Sequence, residues 1–252
     1  DQQNQVARAF ISNPNVENIG EETNNMIKGG NNEIRDGVNN TMIAGQNNLV
    51  LGLNTSDNIT GDFNQMNPHV SNTILMGTKG NATVSNSFVQ GGNSSQRTID
   101  EETGLTKFNN ILGQQQLTKI LMSATIIRVG ERDNLWLNDV EGACYPIPLD
   151  AVLMFNADIM GVVVDGGNLG EFMSFNIDGV TKKQTSTEGG TQIYSTTTIM
   201  QQSSDLRLDC QGSIYYDADG EAFLTINIDS GKVGIVQWVA SIEITQLQTK
   251  GI

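Results

Sequence analysis

A six-residue pattern closed by glycine returns along the first part of the chain. Asn40-Thr41-Met42-Ile43-Ala44-Gly45 recurs as Asn72-Thr73-Ile74-Leu75-Met76-Gly77 and as Asn86-Ser87-Phe88-Val89-Gln90-Gly91. An earlier copy is Asn24-Asn25-Met26-Ile27-Lys28-Gly29, and a degenerate one is Ser56-Asp57-Asn58-Ile59-Thr60-Gly61. The closing glycines stand at 29, 45, 61, 77 and 91, so the period is 16 residues and finally 14. A half-repeat follows most copies, at Asn32 to Ile34, Asn48 to Val50, Asn64 to Met66 and Asn81 to Val84. This period fits two strands of about five residues, each followed by a tight turn. Asn and Gly supply the turns because they tolerate positive φ. Stacking such units gives a parallel β-solenoid, or β-roll.

Two positions of the pattern say how the coils are covered. The fourth is always aliphatic (Ile27, Ile43, Ile59, Leu75, Val89) and should line the interior. The third holds Met26, Met42, Asn58, Ile74 and Phe88, and in a strand it points to the opposite face. A solenoid standing alone would place polar residues there. An apolar outer face implies a cover, and the simplest is an identical chain arranged about a symmetry axis. Met26, Met42, Ile74 and Phe88 are therefore the expected residues of a self-association interface.

These repeats resemble the head domain of trimeric autotransporter adhesins and the related coils of phage tail fibres, which use an Asn-Ser-x-x-x-Gly module of similar length. The resemblance covers residues 24–93 and implies an intertwined homotrimeric roll. It implies a virion or cell-surface location and adhesion as the role. The adhesins' membrane anchor has no counterpart in Gln246 to Ile252, which shifts the expectation toward a phage fibre. The chain begins at Asp1 rather than Met, so it reads as a fragment or processed product.

Composition agrees with an all-β chain. Of the 28 Asn residues, 22 precede residue 111, and there are 27 Gly; both types are poor helix formers. The net charge is −14, which argues against nucleic acid or an anionic membrane surface as partner. The most apolar stretch, Ile147 to Val164, is interrupted by Asp150, Asn156 and Asp158 and does not suit membrane insertion.

From Leu117 onward the pattern becomes strands broken by turns. Strands are expected at Leu121 to Val129, Val152 to Val164, Glu171 to Ile177, Ile193 to Met200, Ser213 to Tyr216 and Phe223 to Ile228. The last, from Val233 to Ile244, alternates so that Val236, Trp238, Ala240, Ile242 and Ile244 share one face. Such a series reads as a β-sandwich or jelly roll. Its closing Gln237 to Ile244 resembles the final strand of a β domain found at the ends of phage fibres. The expected organisation is an N-terminal arm (1–23), β-roll repeats (24–93), a connector (94–118) and a C-terminal β-sandwich knob (119–252).

Little here points to chemistry. The single histidine, His69, cannot build a His-based triad or a multi-His metal site within one chain. Asp217-Ala218-Asp219-Gly220 is a hairpin turn rather than a calcium loop, because it lacks the ligand set of one. Cys144 and Cys210 read as buried free thiols. Glycoside cleavage would need two carboxylates about 5–9.5 Å apart in a groove, and aromatics to stack sugars are only 6% of the chain. No enzyme and no cofactor are expected. For receptor binding the candidates are aromatics off the core face: Trp136, Tyr145, Tyr194, Tyr215 and Tyr216. Trp136, between Leu135 and Leu137, should point opposite to them.

The expectation is thus the distal part of a homotrimeric phage fibre, with a trimeric β-roll shaft and a knob that attaches to a host-surface glycan or protein. The N-terminal end would join other virion proteins. Alternatives are a purely structural fibre or decoration protein, a fragment of a bacterial trimeric adhesin, and a polysaccharide-degrading spike.

Overall fold

The computed structural model describes residues 10–11, 17–18, 25–35, 37–92, 96–99, 106–109, 115–127, 131–183, 190–203, 206–231 and 234–248. Most of the N-terminal arm and much of the connector lie outside these residues. Among the described residues there are strands and turns and no helix. The chain divides into two compact units, 1–118 and 119–252.

The first unit is a β-solenoid. β1 (Phe10–Ile11) and β2 (Glu17–Asn18) belong to one coil, β3 (Met26–Lys28) and β4 (Glu33–Ile34) to the next. β5 (Met42–Ala44) with β6 (Leu49–Val50), β7 (Asn58–Asp62) with β8 (Gln65–Met66), and β9 (Ile74–Thr78) with β10 (Asn81–Ala82) follow, and β11 (Phe88–Gly91) closes the stack. Odd and even strands form two separate parallel ladders. The repeats pair in phase: Met26 lies beside Met42, Met42 beside Asn58, Asn58 beside Ile74, and Ile74 beside Phe88. These pairings make about four turns. β1 and β2 pair with β3 and β4, so part of the segment read as an arm joins the stack. Its sequence signal is weak because Asn13 stands where the closing glycine would be. In the connector, β12 (Gln96–Ile99) and β13 (Thr106–Asn109) pair antiparallel.

Three columns hold the coils together. The fourth pattern position is buried in the five coils from β3 to β11 (Ile27, Ile43, Ile59, Leu75, Val89) and meets Ile34, Val50, Met66 and Ala82 from the other ladder. The glycine column is fixed by crowding. A Cβ on Gly45, whose φ is +148°, would lie 1.8 Å from the Gly61 carbonyl oxygen. The third column is a buried amide ladder. Asn48 Nδ2 donates to Asn32 Oδ1 (3.0 Å) and to the Gly61 carbonyl (2.8 Å), while Asn48 Oδ1 accepts the Asn64 N–H (3.0 Å). Each asparagine thereby satisfies backbone groups that the turns leave without ladder partners.

In the second unit, strands run from β14 (Gln115–Ile126), within which the division between the units falls, through β15 (Arg132–Asn134), β16 (Trp136–Leu137) and β17 (Tyr145–Pro146). The long strands β18 (Ala151–Val163), β19 (Phe172–Lys183) and β20 (Thr191–Gln202) follow, then β21 (Asp209–Tyr216), β22 (Ala222–Asp229) and β23 (Val236–Gln248). One sheet has the order β14-β23-β18-β19-β20, and a second sheet has β15-β22-β17 with β21 also on β22. The alternation read in β23 holds: Val236, Trp238, Ala240, Ile242 and Ile244 are all buried. They face the same core as Leu153, Phe155 and Ile159 of β18 and Phe175 and Ile177 of β19. Trp238 stacks on Phe175 with centroids 6.0 Å apart. Tyr145 Oη donates to Gln246 Oε1 at 3.3 Å and Thr197 Oγ1 to the Cys210 carbonyl at 2.9 Å, each linking one sheet to the other. The Asp217 turn closes the β21–β22 hairpin, with Asp217 Oδ1 accepting the N–H groups of Asp219 and Glu221.

Candidate functional site

The five aromatic candidates separate into three buried or ring-packed and two exposed. Trp136 is buried, contrary to the outward orientation expected for it. The cause is local: the Leu135 N–H donates to Ile226 in the second sheet, while Trp136 and Leu137 pair with β14 in the first. A segment passing from one sheet to the other has both faces covered, and Leu135, Trp136 and Leu137 are all buried. Tyr145 is buried too, with its hydroxyl engaged by Gln246. Tyr215 is half-buried, edge-on to Trp136 at 5.4 Å and beside Phe223. Tyr194 and Tyr216 reach solvent, at 67% and 52% exposure.

Tyr194 stands at a hollow of about 540 Å³ on the outer face of the first sheet. Register places two rows of side chains across that face. Thr245, Met154, Val180 and Tyr194 are cross-strand neighbours on β23, β18, β19 and β20. The next row, two residues along each strand, is Glu243, Asn156, Asp178 and Thr196. The first row is mainly apolar and the second entirely polar. The polar row is ordered by its own bonds. Asn156 Nδ2 donates to Asp178 Oδ1 at 2.8 Å, and Lys119 Nζ pairs with Glu243 Oε2 at 2.6 Å. One row further, Asn176 Nδ2 donates to Asp158 Oδ1 at 2.9 Å. Sequence reading found Tyr194 but not Asn156, Asp178 or Thr196. The alternation of β18 marks its even residues as outward, yet which side chains lie across from them depends on long-range register.

The expected self-association residues lie on the outer face of the solenoid. Met26 and Ile74 are each 45% exposed in the single chain, and Met42 and Phe88 are half-buried. Met76, two residues past Ile74 on the same face, adds a further apolar group at 41% exposure.

The remaining polar candidates show no assembled chemistry. His69 is exposed at a corner of the coil with φ 62°. Cys144 and Cys210 are buried free thiols. Among the described residues no three His, Cys, Asp or Glu side chains group as a metal site, and no helix is long and apolar enough to cross a membrane.

No protein-family model matches the chain, and no curated protein matches it. Among solved structures, the chain is similar to the tailspike protein of Acinetobacter baumannii phage AM24, with a TM-score of 0.27 and 8% sequence identity. The match covers 92% of this chain and 54% of that one, so the chain spans about half the length of that tailspike.

Proposed function

We propose that the chain is part of a homotrimeric phage fibre that attaches to a host-surface receptor by binding alone. Three solenoids pack through their outer faces, and the second unit forms a β-sandwich knob at the end of the fibre. The observation that carries this reading is the column Met26, Met42, Ile74 and Phe88, interrupted by Asn58 at the middle coil, in which a single chain leaves Met26 and Ile74 exposed and Met42 and Phe88 half-buried. Exposed apolar groups stacked in register along a ladder mark an interaction surface. An identical chain offers the same column at the same rise, so the coils match one to one. The resemblance of the repeat to phage-fibre coils and trimeric adhesin heads supports the location on a virion. Three copies of a weak site act together through effective concentration, which makes modest contacts sufficient for attachment.

Binding without bond cleavage suits the second unit. The carboxylates at its hollow, Asp178 and Glu243, are exposed to water.

Charge placed in the column tests the proposal. Ile74→Lys substitutes an exposed residue, so it should leave a single coil stack intact while placing three cations in the proposed interface. The expected result is a three-chain mass for the unaltered protein and a smaller mass for the variant. An assembly mass unchanged by the substitution would mean that the column is not the interface.

A further inference from the structure

We infer that the hollow beside Tyr194 binds a neutral pyranose sugar. The inference deepens the attachment reading, on which it rests for its biological use. The two rows differ in chemistry across a single step. Met154, Val180 and Tyr194 form an apolar shelf across three adjacent strands, about 10 Å wide at the usual strand spacing. Asn156, Asp178 and Thr196 form a band of hydrogen-bonding groups directly alongside. A pyranose has the matching asymmetry, with C–H groups over its ring face and hydroxyls around its rim. The Tyr194 ring takes the ring face by stacking, and the polar band meets the hydroxyls along one edge.

Two details make the site selective. Asp178 is held by the Asn156 amide at 2.8 Å through one oxygen, which fixes its carboxylate and aims acceptor capacity at a ligand hydroxyl. Hydroxyl-to-carboxylate bonds are stronger than neutral ones. The lining contains Asp178 and Glu243 and no basic residue; Lys119 is paired with Glu243, and Lys182 stands on the other side of the apolar shelf, between Val152 and Gln192. Along the polar band, where the sugar rim is held, a sialylated, uronate or phosphorylated sugar meets the like charge of Asp178 and Glu243, whereas a neutral hexose does not. The placement of all six side chains of the shelf and the band on strands of one sheet, rather than on loops, gives the site its rigidity.

The test is binding of the full chain to an array of neutral and anionic glycans, followed by titration with the methyl glycoside of the strongest neutral hit. The expected result is binding to neutral glycans, with anionic ones unbound. Tyr194→Ala should weaken the titrated affinity by roughly tenfold or more, the scale of a lost stacking contact. Tyr194→Phe should retain it, and so should Tyr216→Ala, which removes an exposed tyrosine outside the hollow. Preference for anionic glycans, affinity unaffected by Tyr194→Ala, or equal loss in Tyr216→Ala would overturn the site. A three-chain assembly that binds no neutral glycan would overturn it as well, and would leave the oligomeric reading standing. A single-chain mass with Tyr194-dependent glycan binding would do the reverse.

Discussion

Asp57 occupies in its coil the place that Asn25 occupies two coils earlier, and both accept the same bond. Thr73 donates its N–H to Asp57 Oδ1, and Thr41 donates its N–H to Asn25 Oδ1, each at 2.9 Å. The other arm differs. Asn25 Nδ2 donates to the Val38 carbonyl at 2.9 Å, whereas Asp57 Oδ2 is buried without a partner. Burial pushes the Asp57 carboxyl up to about 6 from an ordinary 3.8, with the Thr73 bond pulling the other way.

The folded state therefore holds this proton more tightly than the unfolded chain does. Its contribution to stability is fully present below about pH 4 and is lost as pH rises through about 6. Asp57→Asn supplies the missing donor and should stabilise the solenoid by on the order of 2 kcal/mol above pH 7. Denaturant melts of both proteins at pH 4 and pH 8 measure this, and the two should converge at the lower pH.

The converse change is Asn48→Asp. The Asn48 amide donates to two acceptors, Asn32 Oδ1 and the Gly61 carbonyl, and a carboxylate would face both of them. Destabilisation of about 2–4 kcal/mol at pH 7 is expected, easing toward pH 4 as the group protonates. Melts across that range follow both the size and the sign.

Gly45→Ala should cost about 3–5 kcal/mol or prevent the solenoid from forming, because the added methyl would occupy the place of the Gly61 carbonyl. Gly167→Ala is the matched control. A Cβ there meets nothing within 4 Å, and its effect should stay within about 0.5 kcal/mol. Thermal unfolding of the two variants side by side gives the contrast.

Both thiols should resist labelling. Burial pushes Cys144 up to about 11, and burial with the neighbouring Asp209 charge pushes Cys210 up to about 12. Iodoacetamide at pH 8 should modify the native protein on the order of a hundredfold more slowly than the urea-unfolded chain. Mass spectrometry of timed samples reads both rates.

The solenoid was legible because its period is written in neighbouring residues. Gly29, Gly45, Gly61 and Gly77 each occupy a position that excludes a side chain, and Ile27, Ile43 and Ile59 each face one core. The long strands β18 and β23 were legible for the same reason, through a two-residue alternation. Trp136 was not, because its surroundings come from strands at Ser123 and Ile226 rather than from its own neighbours. The same holds for Tyr145, whose partner Gln246 lies 101 residues away. The rows around Tyr194 join four strands spread between residues 151 and 248, and no local pattern encodes which residues meet there.

The central claim is that the apolar column of the solenoid is covered by two further copies of the chain. Light scattering on the unaltered protein, with an unboiled SDS gel beside it, tests this most directly. The account predicts a mass of about 82 kDa, three times the 27.3 kDa of one chain, and a band that resists SDS. A 27.3 kDa species that is folded and stable in dilute solution would contradict it.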